Sequence, residues 1–182
     1  MAAGTFSRRQ FLLGAATLAV ATAVPLKAFA STGHRRELSF RNLHTGERQK
    51  GIYWQDGSYL PSTLQNFNEV LKDHRSGDVT QMDPALFDQL SRLSRLLGFD
   101  DTIEVISGYR SPATNAALKR AGHNVATHSY HTLGRAIDIR LPGVQLAQAH
   151  RAALTLKAGG VGYYPRDNFI HIDTGPVRRW GG

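Results

Sequence analysis

The stretch His128-Ser129-Tyr130-His131-Thr132-Leu133-Gly134-Arg135-Ala136-Ile137-Asp138-Ile139 decides how the rest of the chain is read. From Gly134 to Leu141 the pattern predicts a strand, and strand side chains alternate between two faces. Ile137, Ile139 and Leu141 therefore share one face, while Ala136, Asp138 and Arg140 share the other. The isoleucines claim the core, which forces Asp138 onto the opposite face. His131, just ahead of the strand, folds over Asp138 if Gly134 permits a tight turn and Ala136 leaves room. A second alternating strand, Phe169 to Asp173, repeats the logic: Ile170 and Ile172 fall on one face, Phe169, His171 and Asp173 on the other. Placed side by side, the two strands bring His131, Asp138 and His171 together.

Two imidazoles and one carboxylate suit a catalytic Zn²⁺, which takes three protein ligands and leaves a fourth position to water, whose pKa falls to about 7. A histidine in a strand is also commonly a satisfied core or surface residue, and His34, His44, His74, His123 and His150 are read that way. For His131, Asp138 and His171, spacing and face alone leave both readings open. Arg110 is the next candidate. It sits at a strand end in Ser107-Gly108-Tyr109-Arg110-Ser111-Pro112. From such a turn a guanidinium can grip a substrate carboxylate or stabilise an oxyanion; a structural ion pair is the competing reading.

Working outward, Leu38-Ser39-Phe40 and Gly51-Ile52-Tyr53-Trp54 flank His44-Thr45-Gly46-Glu47 and predict a β-hairpin ended by Asp56-Gly57-Ser58. Leu64, Phe67, Val70 and Leu71 recur at helical spacing and predict a helix from about 62 to 74. A second helix opens at the Asp83-Pro84 cap, carries Leu86, Phe87, Leu90, Leu93, Leu96 and Leu97, and stops at Gly98. Strands are expected at 102–106, 134–141, 161–164 and 169–173, and further helices at about 113–121 and 144–157. The expected class is α+β, with helices packed on one face of a small antiparallel sheet.

The chain has 182 residues, 41% of them hydrophobic and 20% charged, with 22 Lys+Arg, 14 Asp+Glu and no Cys. That is an ordinary composition for a single domain with a full core. Without Cys, disulfide frameworks, thiol catalysis and Cys-based zinc ribbons are excluded, so any metal is held by His and carboxylates. Ser7-Arg8-Arg9-Gln10-Phe11-Leu12-Leu13 opens an apolar run to Pro25, and Ala28-Phe29-Ala30 offers a cleavage site. Residues 1–30 are thus expected to be a twin-arginine export signal directing the chain to the periplasm. The apolar run of about fifteen residues is short of the roughly 20 needed to span a bilayer, so no permanent membrane anchor is expected. Residues 31–182 are then one domain. Arg8, Arg9 and Lys27 leave with the signal and no acid does, which takes the net charge from +8 to +5. The remaining bases are scattered among acids rather than gathered with aromatics, which argues against nucleic-acid binding. Oligomeric state is not legible.

The run Ser129-x-His131-x-x-Gly134-x-Ala136-x-Asp138, with His171-x-Asp173 downstream, resembles the motif pair of the lysostaphin, D-Ala-D-Ala metallopeptidase and hedgehog zinc superfamily. Within that superfamily, Asn42 to Glu47, Ser107 to Ser111, Gly159 to Pro165 and His171-Ile172-Asp173-Thr174-Gly175 resemble the MepK-type (YcbK-like) murein endopeptidases. The resemblance covers nearly all of residues 31–182. It implies a hedgehog/D-Ala-D-Ala-peptidase-like fold, one Zn²⁺ per chain on His131, Asp138 and His171, and peptidoglycan cross-link peptide as substrate. It implies a substrate or oxyanion role for Arg110, with Tyr109, Ser129 and Tyr130 around the substrate. One departure stands out: many relatives carry a carboxylate three residues before the last histidine ligand, where this chain has Asn168. Asp173 and His128 are the remaining candidates for proton transfer or for orienting a ligand. Alternatives to an endopeptidase are a D,D- or L,D-carboxypeptidase, or a non-catalytic wall-binding module stabilised by zinc.

Overall fold

Strand β1 (Arg35–Asn42) turns at Gly46, whose φ of 75° favours glycine, and returns antiparallel as β2 (Arg48–Gln55). In this computed structural model Met1, residues 34–123 and residues 125–181 are described. The chain divides into two units, Met1–Ser31 and Thr32–Gly182. The export signal expected over residues 1–30 lies, Met1 apart, outside the described residues. The predicted hairpin does not stop at Asp56-Gly57-Ser58: these residues turn the chain into a two-residue strand, β3 (Ser58–Tyr59), on the outer side of β2.

Helix α1 (Pro61–Val70) is shorter than its periodicity predicts. After Leu71 the chain leaves the helix, and the Asp73 carboxylate takes up the backbone N–H of Arg75 instead. Helix α2 (Pro84–Leu97) has the bounds its punctuation implies. Asp83 accepts from Ala85 N–H at its start, and Gly98 ends it in the left-handed region. Next come β4 (Ile103–Ser107), α3 (Pro112–Arg120, capped by Ser111), a 3-10 turn (Tyr130–Leu133), β5 (Ala136–Arg140) and α4 (Leu146–Thr155). Strands β6 (Gly160–Tyr164), β7 (Phe169–Asp173) and β8 (Arg178–Gly181) complete the sheet.

Among the described residues, eight strands form one sheet in the order β3-β2-β1-β4-β5-β7-β6-β8. Most neighbours are antiparallel, but β1·β4 and β6·β8 are parallel, so the sheet is mixed. The first parallel join follows from two intervening helices, α1 and α2, which carry the chain back before β4 begins. The second arises because β7 reverses β6 and β8 reverses again, returning along the outside of β6.

Helices α1, α2 and α4 cover one face of this sheet. That face carries Ile103, Val105, Ile137, Ile139, Ile170 and Ile172, all buried. Around Phe40 the packing is aromatic: the Phe67 ring meets it edge-on at 4.9 Å, and Phe87 sits 5.3 Å from Phe67. Burial of these large side chains supplies most of the driving force, since each fully buried apolar side chain contributes about 1.5–3 kcal/mol. The other face of β5 and β7 holds Asp138 and His171.

A bulge in β4 matters to that second face. Val105 lies opposite Ile139, but Ser107 lies opposite Asp138, with Ile106 unpaired between them. In a regular strand Val105 and Ser107 would point the same way. The extra residue turns Ser107 out of the core and onto the Asp138 face, a common use of bulges beside functional sites.

Candidate metal centre

β5 and β7 are adjacent and in a register that sets Asp138 directly opposite His171. The 3-10 turn ahead of β5 ends at Gly134 (φ 66°), where a side chain would press on the Gln81 carbonyl. It swings His131 back over the strand. His131, Asp138 and His171 are all buried, and one ligand atom from each lies within 4.8 Å of the others. Thus Asp138 and His171, sorted by strand alternation, converge with His131, brought in by the turn at Gly134.

Each imidazole is anchored by its outer nitrogen. His131 Nδ1 lies 2.7 Å from the Gly108 carbonyl oxygen, and His171 Nε2 lies 3.0 Å from Asp173 Oδ2. Both partners only accept, so both outer nitrogens carry the hydrogen. The inner nitrogens, His131 Nε2 and His171 Nδ1, then present lone pairs to each other across 3.2 Å. Asp138 adds its carboxylate at 2.8 Å from His171 Nδ1 and 3.3 Å from His131 Nε2. Three electron-rich atoms in a buried site call for a cation at their centre. Burial alone pulls the pKa of His171 down, yet its hydrogen bonds to Asp138 and Asp173 overcome that and raise it above the ordinary value, so a metal ion and a proton compete for Nδ1. Burial likewise pushes Asp138 up, and the two histidines more than reverse it, holding the carboxylate well below its usual range. The donor set, two neutral nitrogens and one carboxylate oxygen with orienting partners behind both rings, fits a divalent metal.

The site forms the floor of a cavity of about 440 Å³. Arg110 lines it, with 11% of its side chain exposed and its guanidinium 4.0 Å from Asp138. Its contacts are weak: 3.3 Å to Ser107 Oγ, 3.4 Å to Asn115 Oδ1, and no partner for Nε. Burial lowers its pKa, which the nearby Asp138 only partly offsets. A buried, under-satisfied guanidinium facing a cavity is poised for an incoming carboxylate or oxyanion.

The other sequence candidates fall in varied places. Asp173 is fully buried behind His171: its Oδ1 accepts from the backbone N–H groups of Gly160 (3.1 Å) and Gly175 (2.8 Å), and Arg178 grips both its oxygens. It orients the ligand and does not reach the cavity. His128 is exposed and lines the cavity. Asn168 sits in the β6–β7 turn with a φ of 55°, a left-handed conformation that asparagine tolerates. Tyr130 and Ser129 both line the cavity, and Ser129 Oγ also accepts the His131 N–H at 3.3 Å, capping the turn that aims His131. Tyr109 packs against the hydrophobic core and not along the cavity, because its backbone N–H is tied to the Leu71 carbonyl at 2.7 Å.

Several participants escaped sequence reasoning. Asp73 receives the Ser111 N–H at 2.9 Å and pins the turn that presents Arg110. The Gly108 carbonyl fixes His131. On the unforeseen strand β8, Arg178 and Trp180 line the cavity. Asp73 lay in what read as a helix end and β8 as a tail, so only the Arg-x-Trp spacing on alternate sides of Arg179 offered a signal.

A family model described as peptidoglycan L,D-endopeptidase MepK matches residues 30–180. The chain is similar to the peptidoglycan L,D-endopeptidase MepK of Escherichia coli (strain K12), 46% identical over 177 residues, 96% of this chain and 97% of that protein. The protein of the same name from Shigella flexneri matches to the same extent. The probable peptidoglycan L,D-endopeptidase MepK of Haemophilus influenzae is 46% identical over 156 residues, 85% of this chain and 84% of that protein. No solved structure matches the chain.

Proposed function

Since the chain belongs to the family of the peptidoglycan L,D-endopeptidase MepK, we propose that it is a zinc-dependent endopeptidase that hydrolyses peptide cross-links of peptidoglycan. The observation that carries this reading is the pair of inward-facing imidazole nitrogens, 3.2 Å apart and closed by Asp138, at the floor of an open cavity. Zinc is the ion this set suits, and one bound there would supply Lewis acidity and a nucleophile available at neutral pH. His131, Asp138 and His171 hold it.

Arg110 binds the substrate on the Asp138 side, either through a free carboxylate or through the oxygen of the attacked carbonyl as charge builds on it. Its weak contacts leave it free to do so. Asp173 keeps the His171 ring in one tautomer and one orientation. His128 passes a proton to the leaving amine, the task that Asn168 cannot perform; its position at the cavity wall supports this role. Tyr130 contributes wall area to the bound peptide. The twin arginines and the apolar run of residues 7–30 support a periplasmic location reached by the twin-arginine route.

Purified protein is incubated with cross-linked muropeptides with and without chelator, and products are read by mass. New monomers that vanish with chelator, return with added zinc and are lost in His131→Ala, Asp138→Ala or His171→Ala are the expected result. Cleavage that persists in metal-free protein overturns the proposal. Digestion of defined 3-3 and 4-3 linked dimers then identifies the bond.

A further inference from the structure

Strand β8 contributes more than an edge. Its Arg178 places one guanidinium nitrogen 2.6 Å from Asp173 Oδ2 and the other 3.0 Å from Oδ1, a two-pronged grip on a fully buried carboxylate. The same Oδ2 meets His171 Nε2 at 3.0 Å. A continuous line therefore runs from Arg178 through Asp173 to the ring whose Nδ1 faces His131 and Asp138. The guanidinium is itself held, about 5.0 Å from the centre of the Tyr130 ring and 4.9 Å from that of Trp180. Trp180 in turn lies 5.0 Å from the His171 ring and donates its indole N–H to the Tyr164 hydroxyl at 2.8 Å.

Glycines clear the space for this cluster. A Cβ at Gly160 would lie 2.5 Å from both Arg178 and Asp173 Oδ2, one at Gly162 2.7 Å from the Trp180 ring, and one at Gly175 2.5 Å from the Tyr130 ring. Three backbone positions thus give up side chains so that Arg178, Trp180 and Tyr130 can close around Asp173 and His171. A residue whose only task was solubility on an edge strand would need none of this room.

We infer that Arg178 is a positioning residue for the metal centre, acting through Asp173 to hold His171 as a ligand. Without the guanidinium, Asp173 keeps, besides the His171 ring it orients, only the N–H groups of Gly160 and Gly175, both on Oδ1. Oδ2, the atom that faces His171, is then free to swing, and the imidazole loses its fixed tilt. Partners behind a metal-binding histidine typically contribute 10–100-fold in metal affinity or activity. This inference rests on the zinc reading above.

The test measures Zn²⁺ affinity by competition with a chromophoric chelator for the purified parent protein, Arg178→Ala, Arg178→Lys, Asp173→Asn and the double variant Arg178→Ala/Asp173→Asn. Arg179→Ala serves as control. kcat and KM on cross-linked muropeptides and the thermal midpoint of the metal-free proteins are recorded alongside. Arg178→Ala is expected to weaken zinc binding about tenfold and to lower kcat more than it raises KM. Arg178→Lys falls between, because an ammonium cannot reproduce the fork. In the Asp173→Asn background the loss from Arg178→Ala shrinks below about twofold, since the two act in series. A purely structural role would lower the thermal midpoint and leave zinc affinity alone. Zinc affinity within twofold of the parent, or an undiminished loss in the double variant, overturns the inference. If Arg178→Ala does not fold, Arg178→Lys carries the same comparison. Parent protein that binds no zinc defeats the metal reading itself; tight binding by parent and Arg178 variants alike defeats only this inference.

Discussion

Replacing Asp73 with alanine separates support of the site from the site itself. Asp73 is buried, with 1% exposed, and touches no proposed metal ligand. Its Oδ1 accepts the Arg75 N–H at 3.0 Å, and its Oδ2 accepts the Ser111 N–H at 2.9 Å. Hydrogen bonds to a charged group contribute about 1.5–3 kcal/mol each, and here two backbone donors lose their acceptor. Asp73→Ala should therefore cost about 3 kcal/mol or more in urea unfolding at pH 7. Ser111 follows Arg110 directly, so the same change loosens the turn that aims the guanidinium. A misplacement on the order of 1 Å is enough for about a 10²-fold loss in kcat/KM. Zinc affinity should hardly move. The effect also has a pH signature. Burial raises the Asp73 pKa, but hydrogen bonds from the Thr114 hydroxyl and from the backbone of Ser111 and Arg75 outweigh it and leave the carboxyl well below its usual range. A depressed folded-state pKa means the stabilisation is complete above the unfolded value of about 3.9 and is lost as pH falls through the folded value. The stability gap between parent and variant should thus be constant from pH 7 down to about 4 and narrow in stronger acid. A gap under about 1 kcal/mol at neutral pH, or one that widens on acidification, would refute the assignment.

Three further outcomes are expected. Arg110→Ala should lower kcat/KM on cross-linked muropeptides by about 10²–10³-fold while zinc affinity by chelator competition stays near the parent's, because the side chain is 4.0 Å from Asp138 and its hydrogen bonds go to Ser107 and Asn115. Phe87→Ala removes a fully buried ring packed between Phe67, Phe40 and Tyr53, and should cost about 3–5 kcal/mol in denaturant unfolding. Lys157, exposed and held at a φ of 47° just past α4, should yield about 0.5–1 kcal/mol of added stability on change to glycine, read as a higher unfolding midpoint.

Elements whose information is local could be read from the sequence. The Asp83-Pro84 cap and Gly98 bracket α2 at its observed ends, and the alternation in β5 and β7 sorts Asp138 and His171 from their isoleucine neighbours. The convergence of His131 with them also followed, since Gly134 permits the turn. What was hidden depends on partners far along the chain. No local pattern announces that Ile106 bulges, because the bulge exists only relative to β5. β8 has no apolar alternation and is a strand because β6 offers it an edge. Asp73 reads as the end of an amphipathic helix until Ser111, 38 residues later, arrives to donate. In sequence Asp173 suits proton transfer as well as orientation, and only the partners of its Oδ1, Gly160, Gly175 and Arg178, separate the two.

The strands that carry Asp138 and His171 are both interior: β5 is hydrogen-bonded to β4 and β7, and β7 to β5 and β6. Their main-chain groups are already committed. Among the described residues, the edges of the sheet belong to β3, two residues long, and β8, four. A peptide reaching the metal ligands therefore cannot dock by adding itself as a ninth strand, the mode by which many clefts hold extended chains. It must lie across the sheet face and be recognised by side chains. Strand addition holds a bound chain to regular extended geometry, whereas recognition by side chains does not require it. For a cleft proposed to act on peptidoglycan cross-links, selectivity then rests on the side chains of the cavity wall, Arg110, His128 and Tyr130 among them.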